Sequence, residues 1–181
     1  MSERAPTLPA QLAADDFELF QLPRRFALDA HELTQRWKEL QQWAHPDRHA
    51  AQTSQAQRLA TQWSVRINEA YQRLKHPTSR AAYLCELAGH PVQAHSNTQM
   101  SPDFLIQQMQ WRESLEEATD ALTVQNLLDD VVAARQSESA TCENAIDDMQ
   151  NWPAAVESVR RMLFMQRFEA DIDRRLDQLD D

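Results

Sequence analysis

The side chains best suited to chemistry in this 181-residue sequence are six histidines, two cysteines and 28 carboxylates. His45 and Asp47 flank Pro46, a spacing that a general base and its orienting carboxylate can use. His31, His76, His90 and His95 are the further candidate metal ligands. No constellation results. His45 and His49 lie on either side of a proline that interrupts a helix, so they do not share a helical face as the two histidines of an H-E-x-x-H site do. Cys85 and Cys142 form no C-x-x-C pair, and each falls on a helix where a small apolar role suits it better than ligation. The reading is therefore not an enzyme, with no metal and no cofactor. Two widely spaced cysteines fit a reducing compartment, and the expected location is cytoplasmic.

Composition narrows the chemistry further. The chain contains one glycine, Gly89. A P-loop, a G-x-G-x-x-G turn and a G-x-S-x-G elbow all need glycine for left-handed turns or close backbone approach, so none can be built. The formal charge of -10 sets most of the surface against phosphate, which argues against nucleic acid. That charge is unevenly shared. Residues 1–90 hold 11 Lys+Arg against 10 Asp+Glu, whereas residues 91–181 hold 7 against 18. The change of sign indicates two functional halves. No apolar stretch approaches membrane-spanning length, and the first sixteen residues contain no apolar signal core, so no membrane partner is expected.

The elements that position these residues are helical throughout, and the predicted fold class is all-α. Phe17, Leu19, Phe20 and Leu22 form a short apolar cluster that ends at Pro23. Asp29 and Glu32 read as a capping box at the start of a helix with Leu33, Trp37, Leu40 and Ala44 on one stripe. That helix stops before Pro46. A second long helix, over about 54–75, places Leu59, Trp63, Ile67, Ala70 and Leu74 together and ends at Pro77. Two amphipathic helices joined by a short polar loop pack antiparallel. A shorter helix follows over 79–88, closed by Gly89. Ser101 is expected to cap a helix with Pro102 at its first position, and spans of about 123–150 and 153–179 complete an antiparallel three-helix bundle. The expected organisation is a tail over 1–14, an N-terminal domain over 15–89, a linker over 90–101 and a C-terminal bundle over 102–181.

On its own, His-Pro-Asp is a helix stop and a turn. Placed in the loop of such a hairpin, behind a short hydrophobic helix, it resembles a J-domain, the module by which co-chaperones stimulate ATP hydrolysis by chaperones of the heat-shock 70-kDa class. The strings DDFELFQLP at 15–23, INEAYQRLKHPTSRAAYLCELAG at 67–89 and FLIQQMQWRESLEEA at 104–118 extend the likeness to the HscB family of iron-sulfur assembly co-chaperones, across residues 15–181. The chain departs from that pattern at His49, where an aromatic is usual, and at Gln110, where glutamate is common. It also has no cysteine before Cys85, so the zinc site of some eukaryotic members does not transfer.

The resemblance implies a co-chaperone with two partners. An HscA-type chaperone would be met by His45, Pro46 and Asp47, with Arg36, Lys38 and Arg48 supplying positive charge. An IscU-type scaffold would be met by the C-terminal domain. A helical adaptor without chaperone coupling is the alternative. Helical geometry independently separates two sides of the helix that begins at Pro102. Phe104, Trp111, Leu115, Ala118 and Leu122 converge on one. Leu105, Ile106 and Met109 centre about 150° away, bordered by Gln110 and Glu113. Spacing alone leaves open whether another element covers this second cluster or whether it stays in water as an interface; the resemblance favours the interface. Phe164 matches a further scaffold-contacting position, with a role in the core as its alternative.

Overall fold

The computed structural model of the chain describes residues 14–44, 53–93 and 100–180. Seven α-helices are seen there: α1 Asp16–Leu19, α2 Ala30–Ala44, α3 Ser54–Lys75, α4 Pro77–Leu87, α5 Pro102–Glu117, α6 Ala121–Glu143 and α7 Trp152–Asp180. A π-helical turn, Asn144–Asp148, extends α6. The described residues contain no strand. The chain forms two compact units, Met1–Arg80 and Ala81–Asp181. The sequence reading places the domain change at 90–101; the compact units divide ten residues earlier, within α4.

In the first unit, α2 and α3 form the predicted hairpin. Asp29 Oδ1 accepts the backbone N–H groups of His31 at 2.7 Å and Glu32 at 3.3 Å, which starts α2 as the sequence suggests. Thr53 caps α3 in the same manner. Leu33, Ala44, Trp63, Ile67, Ala70 and Leu74 are buried between the elements, with Phe17, Leu19, Phe20 and Leu22 of the α1 segment closing the core. Leu59 departs from the predicted stripe: it is 37% exposed, and Ala60 is buried at that turn instead. A polar seam fixes the antiparallel register. Thr34 Oγ1 meets the Tyr71 hydroxyl, Trp37 Nε1 donates to Asn68 Oδ1, and Gln41 and Ser64 bond each other, so partner numbers fall along α3 as they rise along α2. The Trp37 and Tyr71 rings stack at 4.8 Å.

The segment around α1 is held to the hairpin by a buried charge. Asp16 is fully buried, and its two carboxylate oxygens meet Arg66 at 2.6 Å and Arg73 at 2.9 Å, one turn of α3 above and one below. Arg66 also donates to the carbonyl of Ala14. At the C-terminal end of α3, just beyond Arg73, the largely buried Arg80 donates to the Leu74 carbonyl at 2.6 Å and lies over the Phe26 ring, a cation at a helix C-terminus.

In the second unit, α4 ends at Gly89, φ +80°, with His90 N–H on the Cys85 carbonyl and Gly89 N–H on the Glu86 carbonyl. This is the Schellman arrangement that the glycine position predicts. Helices α5, α6 and α7 make the three-helix bundle, with α6 and α7 packed along their length. Val124, Val131, Val159, Met162, Met165, Phe168 and Ile172 are buried there. Ser101 precedes α5 as expected, yet its hydroxyl does not cap the helix; it accepts from Arg161 Nη2 at 2.9 Å. Arg161 also reaches Glu157 at 2.6 Å and Glu138 at 3.4 Å, joining all three helices. Leu122 is not on the α5 stripe. The helix ends at Glu117, and Asp120 starts α6 by accepting Thr123 N–H and Oγ1–H, leaving Leu122 72% exposed in the first turn of α6. Those two bonds hold the Asp120 carboxyl below the ordinary carboxylate range. With one glycine in the chain, Gln21, Gln93 and Gln150 take the left-handed backbone at other bends, a strained choice for a side chain.

Two predictions follow from these contacts. Asp16→Asn should lower stability by about 2 kcal/mol, since it weakens charge-assisted bonds at a buried site whose arginines can still reach water; denaturant melts that match the wild type would remove Asp16 as a tie. The second concerns pH. Burial pushes the Cys85 thiol up to about 11 and the Cys142 thiol up to about 12. The fold therefore holds these protons more tightly than the unfolded chain does. Below the ordinary thiol range both states keep them and stability is unaffected; as pH rises from about 9 toward 11, ionisation is open only to the unfolded chain and stability falls. A Cys85→Ala/Cys142→Ala protein should show a shallower decline in melting temperature over that window, and equal slopes would exclude the thiols as the cause.

Candidate protein-interaction sites

The described part of the first candidate site lies on α2. Arg36 is within 4 Å of Glu32 and Glu39, and Lys38 is exposed. Two residues apart on a helix, they point about 200° away from each other and share no face. Their positive charge acts through the field around the helix rather than as one patch. His45, Pro46, Asp47 and Arg48, with His49, lie outside the described residues.

The second candidate site is built by α5. Its buried side carries Phe104 and Trp111, which meet at 6.2 Å edge to face. Phe104 also meets Phe164 edge to face at 5.7 Å; Trp111 stacks on Phe168 at 6.3 Å, and Phe164 stacks on Phe168 at 5.9 Å. Such rings add about 0.5–1.5 kcal/mol per pair beyond the area they bury. Arg161 lies over Phe104 and Arg112 over Phe164, closing the cluster with cations. With one side of α5 fixed by four rings, the opposite side cannot reach the bundle. Leu105, Ile106 and Met109 are accordingly 45%, 55% and 70% exposed. Gln110 and Glu113 are exposed beside them. Phe164 is half-buried against Phe104 and Phe168, so it belongs to the aromatic cluster and shows one edge outward.

An apolar trio standing in water beside polar neighbours is an uncommon use of three large side chains on one helix. Burying such a side chain fully is worth about 1.5–3 kcal/mol, and roughly half of that remains unused here. Among the described residues, no group of three or more His, Cys, Asp or Glu is placed to hold a metal. No helix among those residues is long and apolar enough to cross a membrane.

Residues 100–173, which span this face and most of the bundle, match the family described as the HSCB C-terminal oligomerisation domain. A co-chaperone HscB homologue from Bordetella petrii is 44% identical over 163 residues, covering 89% of this chain and 96% of the relative. The chain belongs to the HscB family of iron-sulfur assembly co-chaperones. A second homologue, from Azoarcus, is 42% identical over 172 residues, covering 93% of this chain and 97% of the relative. The fold is similar to chaperone HscB from Vibrio cholerae, with TM-score 0.79 and 32% identity over 91% of this chain and 99% of that one. It is similar too to human co-chaperone HscB, with TM-score 0.85 and 26% identity over 95% and 85%. The first unit of this HscB-family chain is thus a J-domain fold, and the second is the helical C-terminal domain.

The sequence separated the two faces of α5 but missed Arg161 as the joint of the bundle and Asp16 as the tie in the J-domain fold. Neither has a sequence signature: Asp16 is one more acid at a helix start, and Arg161 one more base inside a long helix. Alanine at Leu105, Ile106 and Met109 together should leave helicity and melting temperature close to wild type, because no buried contact is lost. Trp111→Ala should cost about 3–5 kcal/mol by opening the ring cluster. Circular dichroism melts of the two proteins check this, and a triple variant that melts early would show that the trio supports the bundle.

Proposed function

We propose that this co-chaperone brings an IscU-type scaffold protein to an HscA-type chaperone of the heat-shock 70-kDa class and stimulates that chaperone's ATP hydrolysis, assisting transfer of the iron-sulfur cluster. The reading assigns residues 15–89 to the J-domain, 90–101 to the link and 102–181 to the scaffold-binding domain, in the cytoplasm. The exposed trio on α5, opposite the aromatic cluster, is the single observation that carries it.

Each site has a distinct task. Leu105, Ile106 and Met109 supply the apolar centre of the scaffold interface, with Gln110 and Glu113 as its polar border and Phe164 at its edge; Met109, unbranched and polarisable, adapts to the facing surface. Arg36, Lys38 and Arg48 attract an acidic chaperone surface and raise the association rate. Pro46 then fixes the loop, Asp47 accepts a charge-assisted bond from a chaperone arginine, and His45 makes a neighbouring polar contact. The nucleotide and its hydrolysis belong to the chaperone. Linking the two sites in one chain raises the effective concentration of scaffold beside the chaperone while hydrolysis is triggered.

Steady-state ATPase of the chaperone, with this protein and the scaffold added singly and together, tests the proposal. Stimulation by this protein alone, and more than additive stimulation with scaffold, is expected. Asp47→Asn or His45→Gln should return the rate to the chaperone's basal value without changing helicity or scaffold affinity, since loop side chains that face a partner contribute little to folding. A rate indifferent to the wild-type protein would favour an adaptor without chaperone coupling.

A further inference from the structure

Helices α5 and α7 leave an open groove beside the aromatic cluster, about 500 Å³ in volume, with Phe164 and Phe168 among its walls and Arg112, Arg167 and Arg174 along it. Through Asp171 and Arg174 it continues into a second depression of about 650 Å³ that Arg175 and Glu116 also line. Residues 91–181 contain seven arginines and no lysine against 18 carboxylates. Four of those seven arginines border this one groove, where they meet only two carboxylates, Glu116 and Asp171. The remaining three are engaged within the fold: Arg135 with Glu169, Arg160 with the Val92 carbonyl, and Arg161 with Glu138 and Glu157. Arg174 pairs with Asp171, and Arg175 donates to the Ala118 carbonyl. Arg167 is exposed, and it forms no ion pair among the described residues.

The most acidic half of the chain thus gathers three of its seven arginines around two aromatic rings and a fourth, Arg175, in the adjoining depression. Like charges gathered on one surface repel each other, and an arriving anion relieves that repulsion. Guanidinium forks suit carboxylates in particular, and the half-buried Phe164 ring, standing over the buried Phe168, suits an apolar side chain. The groove is also continuous with the proposed scaffold face. Arg112 stands two turns from Leu105 on the same side of α5 and lies over Phe164, which lines the groove.

We infer that this groove is a second docking subsite for the scaffold, taking a segment that presents carboxylates around an apolar side chain. The inference rests on the scaffold-binding reading above. The apolar group lies against Phe164 and Phe168, and the carboxylates pair with Arg167 and Arg174. The apolar trio supplies affinity, and the arginines fix the orientation of the bound scaffold and speed its association.

Calorimetric titration of a purified IscU-type scaffold into the full chain tests it, at low and at high salt. The proteins are wild type, Arg167→Gln/Arg174→Gln, Arg167→Glu/Arg174→Glu and the Leu105, Ile106, Met109 alanine triple. The glutamate pair should weaken binding roughly tenfold or more and the glutamine pair by less, with wild-type melting temperatures in both, because rim charges contribute to association and little to the fold. Wild-type affinity should fall with salt, and that dependence should shrink in the arginine variants. Arginine variants that bind like the wild type, while the alanine triple does not, would overturn the groove and leave the scaffold face standing. A wild type that fails to bind scaffold would overturn both. Tighter binding of single-stranded oligonucleotide than of scaffold, lost in the arginine variants, would assign the groove to a different class of ligand and overturn the proposal.

Discussion

Four aromatic rings decide what the C-terminal domain shows to water. Phe104, Trp111, Phe164 and Phe168 lock one side of α5 against α7, through edge-to-face and stacked contacts between 5.7 and 6.3 Å. A helix has a fixed rotation per residue, so once that side is committed Leu105, Ile106 and Met109 must face outward. Their exposure is thus a consequence of core packing rather than a separate feature of the surface. Arg161 reinforces the arrangement by bonding Ser101, Glu138 and Glu157 while lying over Phe104, which ties the start of α5 to the two helices behind it. The guanidinium's planar fork presents five donors in fixed directions, a wider reach than lysine's compact ammonium has.

The J-domain fold is organised by a different balance. Its hairpin is apolar at the centre, but the α2–α3 register is written in polar groups: Thr34 with Tyr71, Trp37 with Asn68, Gln41 with Ser64. A slip of one turn along α3 would leave partly buried donors and acceptors unpaired, at about 1–3 kcal/mol apiece. The buried Asp16 works in the same way at the tertiary level. A carboxylate cannot enter an apolar core without compensation, and two arginines one helical turn on either side of it provide that compensation only when α1 is seated at one place on α3.

The proposed function keeps its partner-binding groups out of these locked regions. The exposed trio on α5 can be changed with little consequence for the fold, and the same holds for charges such as Lys38 and Arg167. Binding energy is thereby held in side chains that the folded state does not need, a separation that suits a protein that must engage and release partners. The scarcity of glycine belongs to the same design. Long helices present side chains at fixed angles, and the few sharp bends fall on Gly89 and on strained glutamines between the elements.

Much of this was legible in the sequence, for local reasons. Asp29 marked the start of α2, Pro77 the end of α3 and the lone glycine the end of α4. The 3.6-residue repeat separated the two faces of α5, because each is a short-range property of the chain. Family resemblance, carried by strings at 15–23, 67–89 and 104–118, indicated the co-chaperone. Tertiary structure decided what depends on a partner far away in sequence. Leu59 and Ala60 lie equally far on either side of the Trp63, Ile67, Ala70 and Leu74 stripe, so periodicity does not choose between them, and packing buries Ala60. Leu122 left the predicted stripe because Asp120 and Thr123 start a new helix just before it. Ser101 gave its hydroxyl to Arg161, sixty residues away, rather than to its own helix. Asp16 could be read in sequence only as one more acid near a helix start; its burial between Arg66 and Arg73 exists only once α1 and α3 meet. A charge has no direction in a sequence. Packing alone determines whether it faces water, a partner or the core.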